Sequence, residues 1–260
     1  MGNSFDSAAA GYDQAFTHSV IGRLQRRYVR EQLAKILDTH QPKKILEVNC
    51  GTGEDALWLS AQNYEVTATD ISEAMIGVAK SKSGAQPVVF KTVDLNAIGT
   101  YFKTEQFDLI FSNFGGLNCL SEVQLELFFR NAAALLSENG KLALVVMPKN
   151  TLWEQFYFFS KAKFGEMSRR KKDSAIANVD GESVLTYYYN PDETVRLADY
   201  YFSFKSVHPI AFFVPPSYLE SFFKSKPRLI SALDRLESTV KNRKGLSKYA
   251  DHYFITFCKR

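Results

Sequence analysis

The run Ile45-Leu46-Glu47-Val48-Asn49-Cys50-Gly51-Thr52-Gly53, with Val66-Thr67-Ala68-Thr69-Asp70 a short helix later, leaves this chain few ways to fold. Two apolar stretches bracket a glycine turn and a helical segment, the order of a parallel strand–helix–strand unit. Gly51 and Gly53 permit the tight turn and let a ligand touch backbone. The rhythm then repeats. Ile45–Val48, Val66–Thr69, Val88–Val93, Phe107–Phe111 and Lys141–Met147 read as strands. Helices are expected over Glu54–Ser60, over Ser72–Lys80 with Ser72 as cap, and over Glu122–Leu136, closed by an Asn139-Gly140 turn. Short apolar strands alternating with helices predict an α/β protein with a doubly wound, mostly parallel sheet covered on both faces.

Upstream, Val20, Leu24, Tyr28, Leu33 and Leu37 recur near helical spacing, while residues 1–16 are small and polar and are expected to be mobile. After Pro148 the pattern breaks. Thr151 to about Lys172 reads as an aromatic helix ending in the basic run Arg169-Arg170-Lys171-Lys172, and Gly181 introduces a strand-like Val184–Tyr189. Asn190-Pro191-Asp192-Glu193 is a helix start with cap, proline and first-turn acids. Phe204–Val214 reads as a strand, Pro215-Pro216-Ser217 opens a helical region to about Lys241, and Tyr253–Cys258 closes the chain. One domain over 1–260 is expected: a helical N-terminal lid (1–40), a core (41–148), an inserted aromatic lid (150–190), and C-terminal elements completing the sheet (191–260).

Ligands of open α/β sheets bind beyond the carboxyl ends of the strands. Those ends carry Glu47 and Asn49, then Asp70-Ile71, Asp94-Leu95 and Asn113-Phe114. Asp70 falls where an acid meets a ribose hydroxyl. Glu47 is the distinctive residue, because a carboxylate there repels a diphosphate and suits an ammonium or sulfonium group. Adenosine, no phosphate and a cationic tail together describe S-adenosylmethionine.

These motifs resemble the class I S-adenosylmethionine-dependent methyltransferases, well over residues 41–148 and loosely beyond. The resemblance implies a Rossmann-like sheet whose final strand is antiparallel. It also implies cofactor contacts at Glu47, Asn49, Gly51 and Gly53, a ribose acid at Asp70, adenine contacts at Ile71, Asp94 and Leu95 with Met75 over the other face, and Asn113 with Phe114 beside the methionine end. Asn49 stands where the family usually has glycine, and asparagine tolerates left-handed backbone. The opening Phe5-Asp6 to Phe16 stretch is similar to that of small-molecule members of the quinone-biosynthesis type, which implies that Tyr12 folds over the cofactor.

Gly51-Thr52-Gly53-Glu54-Asp55-Ala56 also satisfies the dinucleotide pattern, so an NAD(P)-dependent oxidoreductase is the rival. A dinucleotide sets its diphosphate on the helix N-terminus, where Glu54, Asp55 and Glu47 would surround it with three carboxylates. Methyl transfer asks the protein mainly to position donor and acceptor. If a base is used, His252 at the start of the last strand is the candidate. Asn113-Phe114-Gly115-Gly116 lacks the Pro-Pro-aromatic signature that goes with amide and exocyclic amino acceptors. Trp153, Phe156, Tyr157, Phe158 and Phe159, with Tyr187–Tyr189 and Phe212-Phe213, are candidates to line an apolar pocket, so a small-molecule acceptor with an apolar or aromatic part is expected. The basic run reads most simply as a solvated helix end. A nucleic-acid methyltransferase and a non-catalytic cofactor-binding regulator stay open.

Bulk numbers fit this reading. Hydrophobic residues are 45% and charged ones 23% of 260, and a net charge of +4 is too small to signal a nucleic-acid binder. Cys50, Cys119 and Cys258 form no pair at disulfide-framework or zinc spacing, so no metal is expected. No signal peptide and no membrane-length apolar run is present, which predicts a cytoplasmic protein.

Overall fold

Strand β1 (Lys44–Val48) lies inside the sheet with its last four residues buried. Such a strand shows no hydrophobic–polar alternation, because helices cover both its faces. A computed structural model describes residues 5–172, 174–179 and 182–260. β1 pairs in parallel with β2 (Glu65–Asp70) on one side and β4 (Phe107–Ser112) on the other. β3 (Val89–Thr92) extends the first edge, and β5 (Leu136–Val146) follows β4. β9 (His252–Lys259) runs antiparallel between β5 and β8 (Phe202–Ile210), giving the order β3-β2-β1-β4-β5-β9-β8.

The helices begin and end where local chemistry dictates. α1 (Val20–His40) starts at Ser19, whose Oγ accepts from the Gly22 N–H, and stops at Gln41 in the left-handed region. α2 (Glu54–Ser60) starts directly on Gly53 at φ 76°. α3 (Glu73–Ser83) is capped by Ser72, as its sequence predicts. α4 (Glu122–Leu135) lies between β4 and β5 in the chain. One hydrophobic core gathers Phe128, Phe129, Phe202 and Phe257; a second gathers Ile21, Val29, Leu33 and Phe254 from α1 and β9.

Two elements differ from expectation. Asn139-Gly140 does not close α4 with a turn; it belongs to β5. Phe107 pairs with Leu136 whereas Leu109 pairs with Lys141, so residues 137–140 form the extra length of a bulge. Strand pairing has overridden turn chemistry there. The long aromatic helix is also broken. α5 (Leu152–Ser160) ends where Ala162 turns left-handed at φ 53°, with the Lys163 N–H reaching back to the Phe158 carbonyl, and a 3₁₀ segment runs from Phe164 to Lys171.

A hairpin of β6 (Ala175–Val179) and β7 (Glu182–Thr186) follows, separate from the main sheet. Gly181, expected to introduce the second strand, lies outside the described residues. α6 (Pro191–Ala198) carries the full capping box of Asn190 and Glu193. α7 (Pro227–Val240) precedes β9. Residues expected to be mobile near the N-terminus are packed instead: Ala8 and Ala9 are buried against Met75 of α3. Among the described residues no helix is long and apolar enough to cross a membrane.

Candidate functional site

Three residues in the left-handed region shape the turn after β1: Asn49 at φ 56°, Gly51 at φ 52° and Gly53 at φ 76°. Gly53 has a packing reason as well, since a Cβ there would meet Ala79 and Phe90 at 2.8 Å. Gly116, after β4, leaves room for the Asn49 side chain, which a Cβ would meet at 2.4 Å. Asp70 at the end of β2 ties this turn to the next. Its Oδ2 accepts from the Gly51 N–H at 2.8 Å and its Oδ1 from the Ser72 N–H at 3.0 Å. Burial raises the Asp70 pKa against the pull of those N–H groups. Ile71 is partly exposed beside it.

Other expected adenine contacts are less open. Met75 is buried against Ala8 and Ala9 of the N-terminal segment. Asp94 is exposed and its Oδ1 accepts from the Asn96 N–H, while Leu95 is buried.

The turn borders a cavity of about 30 Å³ that also takes in Tyr12, Glu47, Asn113 and Phe114. Tyr12 comes from the N-terminal segment, and burial pushes its hydroxyl up to about 12. The segment is held down by Asp13, which accepts from Thr52 Oγ1 and from Lys82 Nζ at 2.6 Å each. The sequence reading missed these residues, and missed Arg26 of α1 most of all. Arg26 lines the same cavity, ion-pairs with Asp55 and lies over the Phe114 ring at 5.2 Å. Asp55 also accepts from Arg30 Nε at 2.8 Å and Asn113 Nδ2 at 2.7 Å. Burial works to raise the Asp55 pKa, but Arg26, Arg30 and Asn113 outweigh it and hold the carboxyl below its ordinary value.

This network revises the electrostatic picture. Of the three carboxylates set against a diphosphate, Asp55 is neutralised by two arginines, and Glu54 lies 3.5 Å from Arg30 and 3.8 Å from Lys82. Glu47 is different. It is 1% exposed, and its Oε2 has no hydrogen-bond partner among the described residues. Burial first, and then Asp55, raise its pKa well above the usual carboxylate range, against Arg26 and Arg30. The Nε of Arg26 is likewise buried and unpartnered. Two residues that line one small cavity thus each carry a buried polar atom without a partner among the described residues, an acid oxygen and a guanidinium N–H.

His252 opens β9 next to this site, its ring edge-on to Phe114 at 5.5 Å. Its Nδ1 lies 3.2 Å from Asp251 Oδ2, close enough for charge to act but without hydrogen-bond alignment. Asp251 accepts from Gln25 Nε2 at 3.2 Å and lies 3.7 Å from Arg170 Nη2. Burial works to raise the Asp251 pKa, and His252 and Arg170 outweigh it. The basic run is therefore not a solvated helix end. Arg169 and Arg170 turn inward onto the buried Glu154, and only Lys171 and Lys172 are exposed. The expected aromatic pocket is corrected too. Trp153 and Tyr157 pack inward, but Phe156 and Phe159 face outward at 65% and 60% exposure.

Residues 45–140 match the family model described as a methyltransferase domain. A malonyl-(acyl-carrier protein) O-methyltransferase of Bacillus anthracis is 32% identical over 169 residues, covering 61% of this chain and 56% of its own length. The chain thus spans little more than half of that relative. Among solved structures, a protein of Pyrococcus horikoshii OT3 superposes with a TM-score of 0.62 at 16% identity, over 96% of this chain and 98% of its own. The magnesium protoporphyrin IX methyltransferase of Synechocystis, with bound S-adenosylhomocysteine, gives 0.59 at 15% identity over 92% and 85%.

The strand order, the acidic first motif and these likenesses define a class I S-adenosylmethionine-dependent methyltransferase fold. The part of this chain that matches the methyltransferase-domain model is residues 45–140.

Proposed function

We propose that this protein binds S-adenosylmethionine and moves its methyl group to a small-molecule acceptor by in-line displacement. The observation that carries the reading is the pair of unpartnered buried groups, Glu47 Oε2 and Arg26 Nε, on one cavity at the glycine turn. An amino-acid zwitterion satisfies both: its ammonium meets Glu47 and its carboxylate meets Arg26. A diphosphate satisfies Arg26 alone, because it brings no cation to stabilise an ionised Glu47. When bound, the sulfonium supplies an activated methyl carbon, and the chain's own work is to orient and to exclude water. Asp70 keeps a free lone pair on each oxygen for ribose hydroxyls, with Ile71 beside the base. Asn113 acts through Asp55, to which it donates, so its role is to fix Arg26.

Calorimetry with S-adenosylhomocysteine and with NAD tests this directly. The homocysteine compound should bind and NAD should not; tighter NAD binding overturns the reading. Asp70→Ala should weaken S-adenosylhomocysteine by roughly 1–3 kcal/mol, the cost of leaving ligand polar groups unpaired. Unchanged affinity would remove Asp70 from the ribose site.

The named activity of the Bacillus relative supports an oxygen acceptor. For a hydroxyl acceptor we assign His252 as the base, with Asp251 biasing the imidazole toward a proton on Nδ1, and residues 150–190 as a cover held by Arg170. His252→Asn should then lower kcat by about 10²–10⁴-fold, read as methyl transfer from radiolabelled cofactor to a metabolite pool, with cofactor affinity unchanged. Full activity in the variant would point to an acceptor already ionised, such as a carboxylate, and end the base assignment.

A further inference from the structure

α5 carries large apolar side chains on both of its faces, and only one face is covered. On the inner face Trp153 donates to the Phe212 carbonyl at 3.0 Å and packs on Phe223, and Tyr157 packs on Tyr218. On the outer face Leu152, Phe156 and Phe159, at i, i+4 and i+7, are 44%, 65% and 60% exposed. Phe164, whose ring touches Phe159 at 5.9 Å, is 62% exposed. Isolated exposed apolar residues are ordinary; a contiguous row of large ones marks an interaction surface.

The charges around the row say what kind. Lys161 and Lys163 stand between Phe159 and Phe164, exposed and without an ion-pair partner among the described residues, and Lys171 and Lys172 are exposed in the same segment. The one exposed acid between residues 152 and 172 is Glu166. Phenylalanine and leucine flanked by lysine is the composition of helices that lie in an anionic membrane interface. Protein interfaces are depleted in lysine, and a second copy of this chain would bring the same positive charge. We propose that the outer face of α5, with Phe164, docks onto the surface of a bilayer containing anionic lipid, the aromatic row entering the headgroup boundary and the lysines meeting lipid phosphates. This does not rest on the methyl-transfer reading.

The test is co-sedimentation of the full chain with phosphatidylcholine vesicles and with mixed phosphatidylglycerol–phosphatidylcholine vesicles, at low and high salt. The expected result is sedimentation that needs phosphatidylglycerol and falls with salt. The Phe156→Ser/Phe159→Ser variant should lower the bound fraction roughly tenfold or more, and Lys161→Glu/Lys163→Glu should remove the preference for phosphatidylglycerol. All four positions are exposed, so unchanged circular dichroism and an unchanged melting temperature should accompany both losses. No phosphatidylglycerol-dependent sedimentation overturns the proposal, as does binding that the variants leave intact. A lipid-free dimer abolished by the same phenylalanine variant would also overturn it, assigning the face to self-association.

Discussion

Replacing Asp55 with alanine is expected to destabilise the folded chain by roughly 3–5 kcal/mol, the cost of stranding a buried charge. Arg26 is buried and takes its main ion pair from Asp55, while Arg30 and Asn113 aim their donors at the same carboxylate. Removing it leaves a guanidinium, part of a second one and an amide without partners. For a chain of this size the loss corresponds to a melting point lower by about 10 °C, measurable by differential scanning fluorimetry. Asp55→Ala/Arg26→Met should recover much of the loss, because the fully buried guanidinium goes with its partner and Arg30 keeps Glu54. A single variant that melts within a degree or two of wild type would show that Asp55 does not neutralise Arg26.

Glu47→Gln is expected to weaken S-adenosylhomocysteine by roughly 1.5–3 kcal/mol, the range for a hydrogen bond to a charged group, and at the same time to stabilise the free protein. The sign follows from burial. Glu47 holds its proton to a higher pH in the folded chain than in the unfolded one. Between the ordinary carboxyl pKa and the raised one the folded state binds more protons, so stability is fully present below that window and is lost as pH rises through it. Glutamine keeps the neutral form's shape and escapes the loss. The melting point of Glu47→Gln should therefore match wild type in acid and exceed it increasingly toward neutral and alkaline pH. Cofactor binding to wild type should release a proton as the ammonium stabilises the carboxylate, visible as a dependence of calorimetric enthalpy on buffer ionisation heat. Equal melting curves at every pH would place the Glu47 proton elsewhere.

The parallel core was legible because its signals are local: β1 to β4 are short apolar runs, Gly51 and Gly53 mark a turn ahead of a helix, and the Asn190 capping box is written in four residues. Arg26 was not legible in the same way, although a trace of it exists. Gln25 and Arg26 interrupt the buried face that Ile21, Val29 and Leu33 define on α1, and polar residues at such positions need partners. Which partner they find depends on strands far along the chain, Asp251 for one and Asp55 for the other. The break of the aromatic helix at Ala162 is silent for a different reason. Nothing about alanine announces a left-handed turn. The bulge at residues 137–140 is equally hidden, since it exists only through its pairing with β4.

The smallness of the cavity under Tyr12 has a kinetic consequence. At about 30 Å³ it is an order of magnitude below the volume of an ordinary ligand pocket. Binding of S-adenosylmethionine as proposed is therefore expected to displace the N-terminal segment and to loosen the grip of Asp13 on Thr52 and Lys82. Arrival and departure of the proposed cofactor should then both quicken as salt weakens the Asp13–Lys82 pair.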